Sequence, residues 1–337
     1  MQNCQLGIAL PGVFFYYLAM PRITLAAPAK LNLSLHITGK RPDGFHNIES
    51  LFLALAFGDT LIFETARSPS LAISMVWQPG SFMQGGGPRL RQEDNIITRA
   101  VSLFRDRAGY ETGLKITVKK RIPEGGGLGG GSSNAAAALL ALNRLANPAS
   151  GSAKGLFSAE ELAEMGAALG SDVPFFLRGA PAAWVCGRGE DVRPFALPEA
   201  VSGLTFLLVN PGFSSKTAEA YRLFQERRQD GCVPGQAAEA QIKALSAPPK
   251  TWDLRNDFLP VFAARSETGA AYQEIISSLY ALGADFAGLS GSGSSCFGVF
   301  SGRNTARSAK KSLLKHFFFV IETFPLARRS IPYYNGR

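Results

Sequence analysis

The chain has 337 residues, 46% hydrophobic and 18% charged, which excludes a disordered polymer and leaves room for two domains of ordinary size. Its formal charge is +9, from 35 Lys and Arg against 26 acids, but the cations are dispersed, with only short clusters such as Lys119–Arg121 and Arg227-Arg228. That dispersal favours a small polyanionic substrate over nucleic acid. Cys4, Cys186, Cys232 and Cys296 lie far apart without C-x-x-C or Cys/His pairing, which argues against a zinc site or disulfide framework and fits a reducing compartment.

Residues 1–19 are apolar and aromatic without a basic leader, and are expected to be a loosely attached extension, with Met20 a plausible alternative start. No other run is apolar enough for a membrane span. From Leu31 the chain alternates: Leu31, Leu33, Leu35 and Ile37 are apolar, and Lys30, Asn32, Ser34 and His36 are polar. Period two predicts a strand with one wet face, on which Lys30 and Asn32 project to the same side. Arg41-Pro42-Asp43-Gly44 signals a turn, and Phe45 and His46 open the next strand, Ile48 to Leu55. Phe45 and His46 could stack on and hydrogen-bond a base, or be a core ring beside a solvated imidazole. Gly58-Asp59 reads as a turn, Leu71, Ile73 and Met75 as a further strand, and 81–88 as a glycine-rich loop without evident chemistry.

Asp94 or Asn95 can cap a helix over 96–107 that ends at Gly109, and Leu114, Ile116 and Val118 mark the strand that follows. Next come Pro123, Glu124, Gly125, Gly126, Gly127, Leu128, Gly129, Gly130, Gly131, Ser132 and Ser133, then an alanine-rich run to Leu145. Ser132 and Ser133 suit an N-cap, and the run is strong helix former. A bare-backbone loop opening onto a helix N-terminus suits phosphate. Ser158 to Glu161 is a capping box for a helix ending at Gly170, and Asp172 follows in a tight junction, either as a turn residue or as a buried base. The second half alternates strands and helices: a strand over 204–209, helices over 217–228 and 272–282, strands over 285–289 and 296–300, a helix over 306–316 and a strand over 317–321. Residues 229–250 read as the least structured stretch. The pattern is α+β.

Three common phosphate loops fail on this sequence. A dinucleotide site wants an acid about 20 residues after the glycines, where the chain has Asn147-Pro148-Ala149-Ser150. No Gly-Lys-Ser/Thr follows them, and H-R-D and D-F-G are absent. Three stretches instead resemble, in order, the motifs of the GHMP small-molecule kinases: Pro28-Ala29-Lys30-Leu31-Asn32-Leu33, the run from Ile122 to Ser133, and Leu289-Ser290-Gly291-Ser292-Gly293. Arg41 to His46 and Gly170-Ser171-Asp172-Val173-Pro174 narrow the resemblance to the members that act on a cytidine diphosphate ester of methylerythritol.

The resemblance covers Pro21 to the C-terminal strand. It implies an α+β fold of two domains, ribosomal S5 domain 2-like over 20–199 and ferredoxin-like over 200–330, with the active site in the cleft between them. It implies ATP-dependent phosphorylation of the tertiary 2-hydroxyl of the methylerythritol unit, with ATP on residues 123–133 and Mg²⁺ held mainly by phosphates. The family's catalytic lysine falls on Lys30 and its catalytic aspartate on Asp172; Asn32 would hold the erythritol, and Phe45, His46 and Tyr221 the cytidine. Phe45 departs from the tyrosine common at its position, and two readings of Glu124 stay open: a solvent-facing side chain, or help in holding the metal. The absence of an Arg/Ser-rich leader favours a bacterial cytoplasm, and the chain is expected to be a monomer or homodimer binding neither nucleic acid nor membrane. A kinase of the mevalonate or homoserine type is the alternative, and a non-catalytic nucleotide- or nucleic-acid-binding module is the alternative from another class.

Overall fold

The fold is seen in a computed structural model that describes residues 22–79, 95–147, 155–227, 237–263, 266–326 and 334–335. The extension 1–19, Met20, the loop 81–88 and Asp94 lie outside these residues.

Two very long strands organise the first half. β1 (Arg22–Lys40) and β2 (His46–Ala66) pair antiparallel along most of their length. The Arg41–Gly44 turn between them is closed by the Gly44 N–H donating to Arg41 O at 3.1 Å. Gly58-Asp59, expected as a turn, lies within β2 instead. Gly58 pairs with Pro28 beside a bulge, and a Cβ there would lie 2.4 Å from Ala27 O, so the glycine permits close strand approach rather than reversal. β3 (Leu71–Trp77) and β4 (Gly113–Lys120) are parallel, joined by α1 (Ile96–Ala108). Asn95 caps α1 by accepting from the Ile97 N–H, and Gly109, at φ 60°, ends it.

α2 (Gly130–Leu145), α3 (Ala159–Leu169) and α4 (Val173–Arg178) follow, then the hairpin β5 (Ala182–Gly187) and β6 (Asp191–Pro194), which sequence periodicity did not reveal. β5 pairs with β2, and the short β11 (Tyr334–Asn335) pairs with β1, completing a seven-stranded sheet. Phe52, Phe63, Phe104 and Phe175 are fully buried where the helices cover this sheet.

After α5 (Glu199–Ser202), β7 (Thr205–Asn210) starts a second sheet. α6 (Thr217–Arg227), α7 (Ala238–Ala244), α8 (Phe258–Ala263) and α9 (Ser266–Ala281) lead to β8 (Phe286–Leu289), β9 (Cys296–Phe300), α10 (Arg303–Leu313) and β10 (Phe319–Thr323). The strand order β10-β7-β9-β8 with antiparallel neighbours is the ferredoxin-like arrangement. The stretch read as least structured contains α7 and a 3₁₀ turn at Pro249–Thr251, helical segments too short to show a period. A shared core of Leu31, Leu53, Phe206 and Phe297 joins the two sheets.

Candidate active site

The polar side of β1 is not wet. Lys30, Asn32 and Ser34 are buried, at 4%, 1% and 0% exposure, because other segments close over that side of the strand. The Lys30 backbone N–H donates to Leu128 O at 3.0 Å, and the Asn32 N–H donates to Ser290 Oγ at 3.3 Å. The Ser290 hydroxyl in turn donates to Gly127 O at 2.9 Å, so β1, the glycine loop and the 290–295 loop meet at one point. Asn256 fastens this junction from behind, donating to Leu289 O and Gly291 O at 2.8 and 2.9 Å.

The glycine loop is forced by lack of space. Gly127 has φ 73°, and a Cβ there would meet Ser290 O at 2.2 Å. Gly129 has φ 70° and is packed against Lys30 Cγ and the Phe176 ring. Gly129, not Ser132 or Ser133, is the N-cap of α2, and it provides no side-chain cap. The helix starts earlier than its capping chemistry predicts because the left-handed glycine makes the turn. The serines lie in the first turn, where the Ser133 N–H donates to Gly129 O at 2.9 Å. Leading N–H groups without a side-chain cap at a positive helix end are what a phosphate needs.

One residue that the sequence concealed holds the neck of this loop. Asp59, with a side chain 0% exposed, accepts from Lys120 Nζ at 2.6 Å, from the Arg121 and Ile122 N–H groups at 2.7 and 2.9 Å, and from Asn134 Nδ2 at 3.0 Å. The donors come from both sides of the loop, so a single carboxylate fixes its entry and its exit. Lys120 was legible only as one member of a basic cluster, and Asp59 only as a turn residue.

Asp172 occupies the N-cap position of α4 but makes no cap bond. Its Oδ2 lies 3.4 Å from Lys30 Nζ, and 27% of the side chain is exposed. Lys30 also donates to Asn32 Oδ1 and sits 4.7 Å from the centroid of Phe52. Asn32 is oriented by donating to Ser50 Oγ at 2.9 Å. A carboxylate left free of helix capping, beside an ammonium and open to solvent, can accept a proton from an alcohol.

Lys30, Asn32, residues 123–132 and Asp172 line one cleft of about 960 Å³, together with Phe45, His46 and Tyr221. Phe45 is 50% exposed, with the Arg188 guanidinium 5.4 Å over its ring. Tyr221 lies flat on the His46 imidazole, centroids 4.7 Å apart and planes at 12°, and packs edge-on to Phe258. Burial, with the Asp172 carboxylate secondary, raises the Tyr221 phenol above its ordinary pKa, keeping it neutral. Burial and then Lys40 lower the His46 pKa. Arg188, on the turn after β5, is a further cleft residue that no periodicity pointed to. Ser133, placed in the predicted ATP loop, is buried and does not line the cleft; its hydroxyl has no hydrogen-bond partner among the described residues.

Among the described residues no group of three or more His, Cys, Asp or Glu could hold a metal ion, and no helix is long and apolar enough to cross a membrane. Residues 95–180 match the N-terminal domain of the GHMP kinases and residues 250–318 their C-terminal domain. The chain is 39% identical over 288 residues, 85% of each chain, to a 4-diphosphocytidyl-2-C-methyl-D-erythritol kinase of Xanthomonas euvesicatoria. A crystal structure of 4-(cytidine 5′-diphospho)-2C-methyl-D-erythritol kinase superposes with a TM-score of 0.70 at 32% identity, covering 89% of this chain and 98% of that one. A homoserine kinase from Cytophaga hutchinsonii superposes at 0.61 with 17% identity, covering 95% and 98%, a likeness of fold alone. The chain belongs to the GHMP kinases and, within them, to the family of the 4-diphosphocytidyl-2-C-methyl-D-erythritol kinases.

Proposed function

We propose that this enzyme transfers the γ-phosphoryl group of ATP to the tertiary 2-hydroxyl of 4-diphosphocytidyl-2-C-methyl-D-erythritol, giving the 2-phosphate in the non-mevalonate route to isoprenoid precursors. The observation that carries the reading is the Lys30–Asp172 pair, 3.4 Å apart, in one cleft with a bare-backbone loop and an aromatic–imidazole group. Asp172 accepts the hydroxyl proton as the oxygen attacks phosphorus. Lys30, 3.4 Å from that carboxylate, holds it in place and offsets charge on the transferred group. Residues 123–132, which line the cleft, hold the nucleotide, with backbone N–H groups directed at its phosphates, because phosphoryl transfer is largely positioning and electrostatics. Asn32 orients the erythritol, while Phe45, His46 and Tyr221 take the cytidine.

Mg²⁺ is proposed to accompany the nucleotide. The oxygen donors at the loop, Glu124 and Ser132, suit a hard cation, and their small number leaves most of its shell to phosphate and water. Bound there, the ion neutralises phosphate charge. We further propose that the chain works as two domains, 20–199 and 200–330, after an extension at 1–19, as a monomer or homodimer in the cytoplasm. The division of the two sheets between β6 and β7 supports the domains, and free thiols at Cys186 and Cys296 are compatible with a reducing compartment. The deciding assay measures ATP consumption with the cytidylated methylerythritol against mevalonate and homoserine. Turnover with either competitor and none with the cytidylated alcohol would sink the reading.

A further inference from the structure

His46 has two ring nitrogens with different chemistry, and the structure indicates which of them carries the proton. Gln225, on α6, reaches His46 Nε2 at 2.6 Å through its amide nitrogen. The carboxamide could in principle be turned round, but its oxygen is claimed from the other side by Lys40 Nζ at 3.4 Å. An ammonium only donates, so the amide oxygen must face Lys40 and the amide N–H must face His46. Nε2 is then an acceptor without a proton, and the proton of the neutral ring sits on Nδ1. Burial and then the Lys40 charge lower the imidazole pKa, which favours the neutral ring. Among the described residues the hydrogen bond of the His46 ring is the one at Nε2, which leaves Nδ1 for a ligand, and His46 lines the cleft.

We propose that Gln225, held by Lys40, is a positioning residue that locks His46 in the Nδ1–H tautomer. His46 thereby becomes a donor toward an unprotonated pyrimidine N3, and the relay sets a preference for cytosine over uracil. Cytosine presents N3 as an acceptor, whereas uracil carries a hydrogen there and would meet the imidazole donor head-on. The opposite tautomer would reverse that preference. Tyr221, stacked on the same ring at 4.7 Å, keeps the imidazole plane from turning its nitrogens over. The inference rests on the cytidine reading of this end of the cleft, but the tautomer itself is tested without substrate.

The test has two arms. With only three histidines in the chain, long-range ¹H–¹⁵N spectra of the labelled full-length protein identify the His46 ring nitrogens. Protonated Nδ1 and bare Nε2 are expected, and protonated Nε2 overturns the proposal whatever the enzyme's substrate. In the second arm Gln225→Leu removes the amide donor, and with it the tautomer lock, on an exposed helix position where folding is not at stake. KM for the cytidine substrate is expected to rise about tenfold, the worth of one hydrogen bond, with KM for ATP unchanged and the cytidine-over-uridine preference narrowed. An unchanged preference in Gln225→Leu overturns the role given to Gln225. Wild-type protein with no activity on the cytidine substrate refutes the function, leaving the spectroscopic result intact.

Discussion

Single residues divide here into those whose chemistry is used and those whose size is used. Asp172 belongs to the first kind: Asn keeps its shape and cannot accept the hydroxyl proton. Asp172→Asn is expected to lose turnover by about three orders of magnitude while binding ATP normally by calorimetry. Turnover within tenfold of wild type would remove it as the base. Gly127 belongs to the second kind. Its φ of 73° and the 2.2 Å approach of a would-be Cβ to Ser290 O leave no room for alanine. Gly127→Ala is expected to cost about 2 kcal/mol or more in urea unfolding and to raise KM for ATP, since the loop must back away from Ser290. Lys30 and Asp172 were legible through motif order. Asp59 was not, because nothing local distinguishes a turn aspartate from a buried one.

At the scale of elements, the question is how a loop of glycines holds one shape. Glycine has the largest conformational entropy to lose, so the loop depends on its anchors. Asp59 is the anchor that gathers strand β4 and helix α2, and its ion pair with Lys120 is enclosed, the side chains 0% and 4% exposed. Breaking such a pair from one side leaves a buried charge without a partner. Asp59→Asn is expected to destabilise by about 3–5 kcal/mol, and Asp59→Asn with Lys120→Met to recover much of that loss. Equal stability of the single variant and wild type in denaturant titration would show that the pair is not enclosed. Element periodicity predicted β3, α1, β4, α3, β7 and the closing strands of the second sheet. It missed the β5–β6 hairpin, whose strands are short, and it cut β2 at Gly58, where only the neighbouring strand reveals why a glycine is there.

Over the whole molecule, the charge of +9 acquires a location. The cleft is lined by Lys30, Lys40, Lys120, Arg188 and Arg222 against Glu124 and Asp172. Both proposed substrates are polyanions, so this field draws them in and weakens as salt is added. kcat/KM for each is expected to fall about three- to tenfold as ionic strength rises from about 0.01 to 0.15 M, where the screening length shortens from about 30 to 8 Å. A flat salt profile in steady-state kinetics would put the excess charge elsewhere.

The sequence by itself determined the α+β class, the phosphate loop and the ordered motifs that carry Lys30 and Asp172. Those features are local: strand alternation, helix caps and glycine runs are written over a few neighbouring residues. Only the tertiary structure decided that the polar side of β1 is enclosed, that Asp59 closes the neck of the loop, and that Gln225 meets His46. Each of these joins residues distant in sequence, such as Asp59 with Asn134 and His46 with Gln225, and no local period encodes a contact made across the fold.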